Sequence, residues 1–324
     1  MIDRLGREID YVRISVTDRC NLRCRYCMPE EGVQMAGHAD ILRYSEIIQI
    51  AEAMAGLGVH KIKLTGGEPL VRRNLPQLVA DLKRIEGITQ VTLTTNGVLL
   101  GEQMEALAEA GIDGVNISLD TLDPGQYSQI TRRDEFGRAY EGILTALKYK
   151  DIVLKINCVL LGQSPEEIVR IAGLARENPI HVRFIEMMPI GLGNDFTGMT
   201  EDKVLSFLRP VYGTEKAEDM CLGNGPAHYF CYPGLTGRIG FISAVSHKFC
   251  KSCNRVRLTS QGFLKTCLQY ETGKDLRDPL RRGASREELK DLIVQALAEK
   301  PDGHAFFQEK TGSEEHKIMS QIGG

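Results

Sequence analysis

The run Cys20-Asn21-Leu22-Arg23-Cys24-Arg25-Tyr26-Cys27 places three soft thiolates on one short segment, spaced C-x3-C-x2-C, so that they can wrap a single metal centre. The same spacing puts the three on one face of a helix. A buried cysteine stripe is therefore one alternative, although Arg23, Arg25 and Pro29 shorten any such helix, and zinc completed by an outside ligand is another. A second set follows far downstream: Cys250-Lys251-Ser252-Cys253, with Cys267 after thirteen further residues. Iron-sulfur clusters as a rule take four thiolates, so two separate sets of three point to two four-iron clusters, each with one iron open to a small molecule. Cys158, Cys221 and Cys231 have no ligand-like spacing and fit the role of small buried hydrophobes.

Cations form the second pattern. Arg13, Lys63, Lys155 and Arg183 interrupt four otherwise apolar strand-like segments, where a parallel sheet covered on both faces reads as continuously apolar. If Asn254 to Thr259 is extended, Arg255 and Arg257 share one face and make a fork suited to phosphate oxygens. Each cation alone pairs as readily with a nearby carboxylate; together they favour a polyanionic ligand. Three polar segments, Thr65-Gly66-Gly67-Glu68-Pro69, Thr94-Thr95-Asn96-Gly97 and Ser118-Leu119-Asp120, close the predicted strands where a barrel presents its active site.

The elements that must position these residues alternate between strand and helix. Six strands are expected at Tyr11 to Val16, Lys61 to Thr65, Val91 to Thr95, Gly114 to Leu119, Val153 to Val159 and Val182 to Glu186. Helices fall between them, among them Ser45 to Leu57, capped by Ser45, and Glu102 to Ala110. Ser164-Pro165-Glu166-Glu167 supplies a further helix start. The pattern is α/β: an incomplete barrel of six βα units. After Gly191-Leu192-Gly193-Asn194 the composition turns irregular, so a second, α+β unit is expected, with the chain divided into 1–215 and 216–324 and one more helix at Glu287 to Glu299.

Composition sets the outer limits. With 324 residues, 42% of them apolar and 26% charged, the chain is long enough for about two domains. No run approaches the about 18 apolar residues a membrane span needs. A net charge of −3 argues against a dedicated nucleic-acid binder. Met1-Ile2-Asp3-Arg4 lacks the features of a secretory signal, which places the chain in the cytoplasm, where nine cysteines read as metal ligands rather than disulfides.

Thr17-Asp18-Arg19-Cys20 through Cys27-Met28-Pro29, with Gly66-Gly67-Glu68-Pro69, resembles the radical S-adenosylmethionine (SAM) enzymes. Phe249-Cys250 to Arg257-Leu258-Thr259, Cys267 and the terminal Gly323-Gly324 narrow the resemblance to the MoaA-type GTP 3',8-cyclases of molybdenum cofactor biosynthesis. The resemblance implies a TIM-like incomplete (βα)6 barrel whose C-terminal α+β domain carries the second iron-sulfur cluster. It implies that Cys20, Cys24 and Cys27 hold the SAM-cleaving 4Fe-4S cluster and that Tyr26, Gly67, Ser118 and Met188 contact SAM. Cys250, Cys253 and Cys267 would hold a second 4Fe-4S cluster facing guanine. Arg13, Lys63, Thr94, Lys155, Arg255 and Arg257 would contact GTP, with Arg255, Arg257, Gly323 and Gly324 taking part in catalysis. The implied reaction uses a 5'-deoxyadenosyl radical to convert GTP to 3',8-cyclo-7,8-dihydro-GTP. It implies an external electron donor and a downstream cyclic pyranopterin monophosphate synthase, and leaves a homodimer open. Asn74 departs from the family's usual Asp, as does Gln163-Ser164-Pro165 from its usual Asn-containing turn; neither is a ligand position. A radical SAM peptide-modifying enzyme would need a peptide-docking element and further C-terminal cysteines. A zinc-stabilised nucleotide- or RNA-binding protein would not account for two sets that both stop at three.

Overall fold

The computed structural model of the protein describes residues 1–218, 222–306 and 315–323. Six parallel strands run in chain order: β1 (Tyr11–Ser15), β2 (Lys61–Thr65), β3 (Gln90–Thr95), β4 (Gly114–Ser118), β5 (Val153–Leu160) and β6 (His181–Glu186). Helices α1 (Tyr44–Ala55), α2 (Leu75–Lys83), α3 (Leu100–Glu109), α4 (Pro124–Thr131), α5 (Phe136–Ala146) and α6 (Pro165–Ala172) connect them, and α7 (Glu201–Tyr212) follows β6. The strands β7 (Lys216–Glu218), β8 (His228–Cys231), β9 (Ile239–Ile242), β10 (Arg255–Leu258), β11 (Phe263–Lys265) and β12 (Gly273–Asp275) come next, then α8 (Arg277–Arg281), α9 (Arg286–Ala298) and α10 (Met319–Ile322). All twelve strands belong to one open sheet, ordered β12-β11-β10-β1-β2-β3-β4-β5-β6-β9-β8-β7. The six-unit incomplete barrel expected from the sequence is therefore present. Its two free edges are extended by strands from the C-terminal third: β10 pairs parallel to β1, and β9 parallel to β6. No helix among the described residues is long and apolar enough to cross a membrane.

Period-two alternation explains the polar interruptions. Val12 and Ile14, Ile62 and Leu64, Val91 and Leu93, and Val115 and Ile117 are all fully buried on the face that packs against the helices. Arg13, Lys63, Thr92, Thr94 and Asn116 occupy the alternate positions and face the interior of the barrel. Continuous hydrophobicity is lost because only the outer face of the sheet meets a hydrocarbon core.

Two local expectations need correction. Helix α1 is capped by Arg43, not Ser45, because the Glu46 carboxylate accepts the Arg43 N–H at 2.7 Å and draws the helix start back. Cys231 is half-buried, not a core hydrophobe, since it lies on β8, whose neighbour β7 ends the sheet; Cys158 is fully buried as expected, and Cys221 lies outside the described residues. Ser164 does cap α6, its hydroxyl accepting the Glu167 N–H at 3.3 Å. Asn74 adopts the left-handed conformation before α2, a role open to Asn and Asp alike.

Glu167 links helix packing to the strand ends. Its buried carboxylate accepts the Thr121 hydroxyl at 2.6 Å and the Leu122 N–H, fixing the turn that follows Asp120. Substituting Glu167→Ala strands both donors at roughly 1–3 kcal/mol each and is expected to lower unfolding free energy by about 3 kcal/mol, while Glu167→Gln, which keeps an acceptor, costs less. The shift in denaturant midpoint between the two variants checks this.

Candidate functional site

A cavity of about 340 Å³ opens inside the sheet, and its wall includes Cys20, Cys24, Cys27, Cys250, Cys253 and Cys267 together with Arg13, Lys63, Thr94, Arg255 and Arg257. Tyr26, Gly67, Ser118 and Met188 also line it. Lys155 is buried on β5 but is not one of the lining residues; its amine lies beside Gly223. Gly324 lies outside the described residues.

Strand register explains how the cysteine sets come to share one cavity. Cys20 to Cys27 follow the C-terminal end of β1, whereas Cys253 immediately precedes β10, which runs parallel to β1. Strand β11 returns antiparallel, so Cys267 emerges at the same end as Cys253. The two triads therefore sit at opposite ends of the β1–β10 pair, whose five-residue strand β1 spans about 16 Å. Between them the register aligns Arg257 with Arg13 and Arg13 with Lys63, giving a row of three cations across three adjacent strands. Burial depresses the Lys63 amine well below its ordinary value, and Arg183, Lys155, Arg13 and Arg255 all add to the effect. Arg257 is lowered by the same two causes, burial first and then Arg13 and Arg255.

The first triad is desolvated. Burial raises the Cys20 thiol to about 11 and the Cys27 thiol to about 12, and it raises Cys24 well above the ordinary range, each with a further contribution from neighbouring negative groups. Behind the triad, Glu68 accepts the Thr95 hydroxyl at 2.7 Å, the Asn96 N–H at 2.7 Å and the Leu70 N–H at 3.0 Å. Asn96 in turn donates to Asn21 at 2.8 Å. Tyr26 donates to Asp120 at 2.8 Å, and Asp120, raised to about 6 by burial, also accepts the Val159 N–H. Gly67 lies against the cysteine loop so closely that a Cβ there would stand 2.4 Å from the Arg19 carbonyl oxygen.

The second triad is braced from both chain ends. Arg7, held by Asp3 at 2.6 Å, donates to the carbonyls of Cys250 at 3.0 Å and Pro301 at 2.9 Å. Lys300 donates to the carbonyls of Thr266 at 2.6 Å and Arg255 at 2.9 Å, and its amine lies 3.6 Å from the Cys253 sulfur. Burial alone would raise the Cys253 thiol, but Lys300 and Arg255 outweigh it and bring it down to about 7. The His304 N–H points to the Cys250 sulfur at 3.5 Å.

Among the described residues no three His, Cys, Asp or Glu side chains are gathered into a closed single-ion cage. The six cysteines are free thiols ranged around a shared space. Their chemistry fits iron-sulfur clusters: all-thiolate donors, desolvated at one end, with N–H groups directed at sulfur at the other.

The C-terminal segment enters the same region. Gly323, with φ of +85°, is packed so that a Cβ would lie 2.6 Å from the Ser15 Cβ, and its carbonyl accepts an N–H from Arg257 at 2.9 Å. Sequence reasoning missed Glu68, Asn96 and Asp120 as individual site residues, although it singled out the strand ends that carry them. It missed Lys300 and Arg7 entirely, because nothing local marks either one; only the fold brings them to the cysteines. Arg183 is buried, and its guanidinium is anchored on the Asn157 side-chain oxygen at 2.9 Å.

Burial raises Glu68 to about 7 from an ordinary 4.5, so folding favours its neutral form. That stabilisation is complete below pH 4.5 and is lost as pH rises through 7. Relative to Glu68→Gln, the unsubstituted chain is expected to lose up to about 3 kcal/mol of stability across that interval. Paired unfolding curves at several pH values check the difference; parallel pH profiles would contradict it.

Comparison with known proteins places this geometry. Residues 14–175 match the model of the Radical SAM superfamily, and residues 180–306 match that of Molybdenum Cofactor Synthesis C. GTP 3',8-cyclases from Pelotomaculum thermopropionicum, Moorella thermoacetica and Desulforamulus reducens are 45%, 44% and 43% identical, each aligned over the whole of both chains. Among solved structures, Streptococcus suis SuiB bound to S-adenosylmethionine superposes with a TM-score of 0.62 over 90% of this chain and 68% of its own, at 16% identity, a likeness of fold. With two cysteine triads facing one cation-lined cavity and GTP 3',8-cyclases 43–45% identical over their full length, the chain belongs to the GTP 3',8-cyclase family of radical SAM enzymes.

Proposed function

We propose that this protein converts GTP to 3',8-cyclo-7,8-dihydro-GTP with a SAM-derived radical, the first step of molybdenum cofactor biosynthesis. The observation that carries this reading is the row Arg257–Arg13–Lys63 set midway between two three-cysteine sets in one cavity. A triphosphate neutralises such a row, and a nucleotide on it extends toward both triads.

Cys20, Cys24 and Cys27 would hold one 4Fe-4S cluster, and Cys250, Cys253 and Cys267 a second. When bound and reduced, the first cluster with SAM supplies a primary carbon radical able to take the 3' hydrogen of the GTP ribose. Tyr26, Gly67, Ser118 and Met188 hold SAM; the Tyr26–Asp120 bond fixes one wall of that site and the close approach at Gly67 another. Arg13, Lys63, Lys155 and Arg257 neutralise the triphosphate, and Thr94 contacts the nucleotide. Arg255, packed over the Phe249 ring at 5.0 Å, bridges the phosphates and the second triad. Gly323, packed against Ser15, would help position the SAM-derived radical relative to the GTP ribose, a role shared with Gly324, which lies outside the described residues. An external one-electron donor and a downstream cyclic pyranopterin monophosphate synthase complete the pathway on either side.

Two outcomes test the reading. Anaerobic preparations are expected to carry about eight irons per chain, falling to about half in Cys253→Ala; saturation at about four in the unsubstituted protein overturns the second cluster. With dithionite, SAM and GTP, Arg257→Ala is expected to weaken GTP turnover by about 10- to 100-fold through the loss of charged hydrogen bonds, while 5'-deoxyadenosine is still released. Arg257→Lys is also impaired, because an ammonium cannot both bind phosphate and keep the planar contact to Gly323. Unchanged GTP affinity and product yield in both variants would contradict the assignment.

A further inference from the structure

The C-terminal segment is attached at two points, and the points are neighbours. Arg257 on β10 and Lys265 on β11 are register partners, so two like charges stand directly opposite each other, an arrangement that destabilises a sheet unless each is compensated. The tail contacts both, neutralising Lys265 and satisfying one N–H of Arg257. Glu315 forms an ion pair with Lys265, each side chain only 2% exposed, and eight residues later the Gly323 carbonyl takes the Arg257 N–H. Between these points the Ile318 backbone lies against Gly191, the Ser320 N–H faces the Cys27 sulfur, and Ile322 is fully buried.

We propose that the buried Lys265–Glu315 ion pair is a latch that seats the C-terminal segment between the first cysteine triad and Arg257, and so couples radical formation to cyclisation. This rests on the function proposed above. The latch is built on both sides. Lys265 also donates to the Tyr270 carbonyl at 2.7 Å, while Glu315 donates its own N–H to Gln269 at 2.6 Å and accepts the Lys317 N–H at 2.9 Å. A chain terminus with few apolar anchors ordinarily frays. A buried pair opposes fraying in an all-or-none way, because removing one partner leaves the other charge buried and uncompensated, whereas replacing both with apolar groups is tolerated. Lys265 and Glu315 are thus positioning residues: neither lines the cavity, and both act through where they place Gly323.

The test uses the cluster-loaded enzyme. Lys317 is exposed, so trypsin cleavage of the Lys317–Ile318 bond, read by mass spectrometry, reports how often the tail leaves its seat. Glu315→Ala is expected to speed that cleavage by about 100-fold. In the same variant, iron content stays native, while the yield of 5'-deoxyadenosine per cyclised product rises several-fold. The double variant K265M/E315M is expected to return both readouts toward native. Native cleavage in E315A, or faster cleavage with native coupling, overturns the proposal. So does a double variant that recovers neither. The two readings fail separately: if the unsubstituted enzyme makes no cyclised nucleotide, the proposed function falls, while the trypsin comparison still decides whether the ion pair seats the tail.

Discussion

Three cations in one register row, Arg257, Arg13 and Lys63, are the constraint around which the molecule is arranged. Like charges on adjacent strands repel, and burial adds a desolvation cost that no apolar neighbour relieves. The sheet tolerates them because the outer face of the same strands is fully apolar and packs into the hydrophobic core shared with the helices, so the stability of the barrel is generated on one face and spent on the other. The Gly323 carbonyl satisfies one N–H of Arg257, which leaves most of the positive field directed into the space between the triads.

The placement of the cysteines follows from the same strand pair. Because β10 lies parallel to β1, a loop entering one and a loop leaving the other are forced to opposite ends. Each end is then fixed by a different part of the chain. Glu68 and Asn96 support the cysteine loop after β1, and Arg7, Lys300 and residues 301–304 enclose the other set. In the function proposed above, a radical generated at one end would meet a substrate held by the middle and reaching toward the other. The strand pair between them spans about 16 Å.

Much of this was legible in the sequence because it is local. The alternation of β-rich segments with helical ones located all six parallel strands to within a few residues, and the cysteine spacings and strand cations marked which residues the fold would gather. What the sequence left hidden is non-local. Nothing around Arg255 announces that its strand pairs with β1. Lys300 is one lysine at the end of a helix, and Lys265 and Glu315 look like surface charges until burial brings them together. The displaced cap of α1 is local instead: the Glu46 carboxylate accepts the Arg43 N–H, which starts the helix at Tyr44, before Ser45.

The central claim is that the cation row holds GTP with its ribose facing the first triad. Supplying the loaded enzyme with SAM, a reductant and GTP deuterated at C3' tests it most directly. The account predicts 5'-deoxyadenosine that carries the deuterium, formed together with cyclised nucleotide. Deuterium-free 5'-deoxyadenosine accompanying full product formation would contradict it.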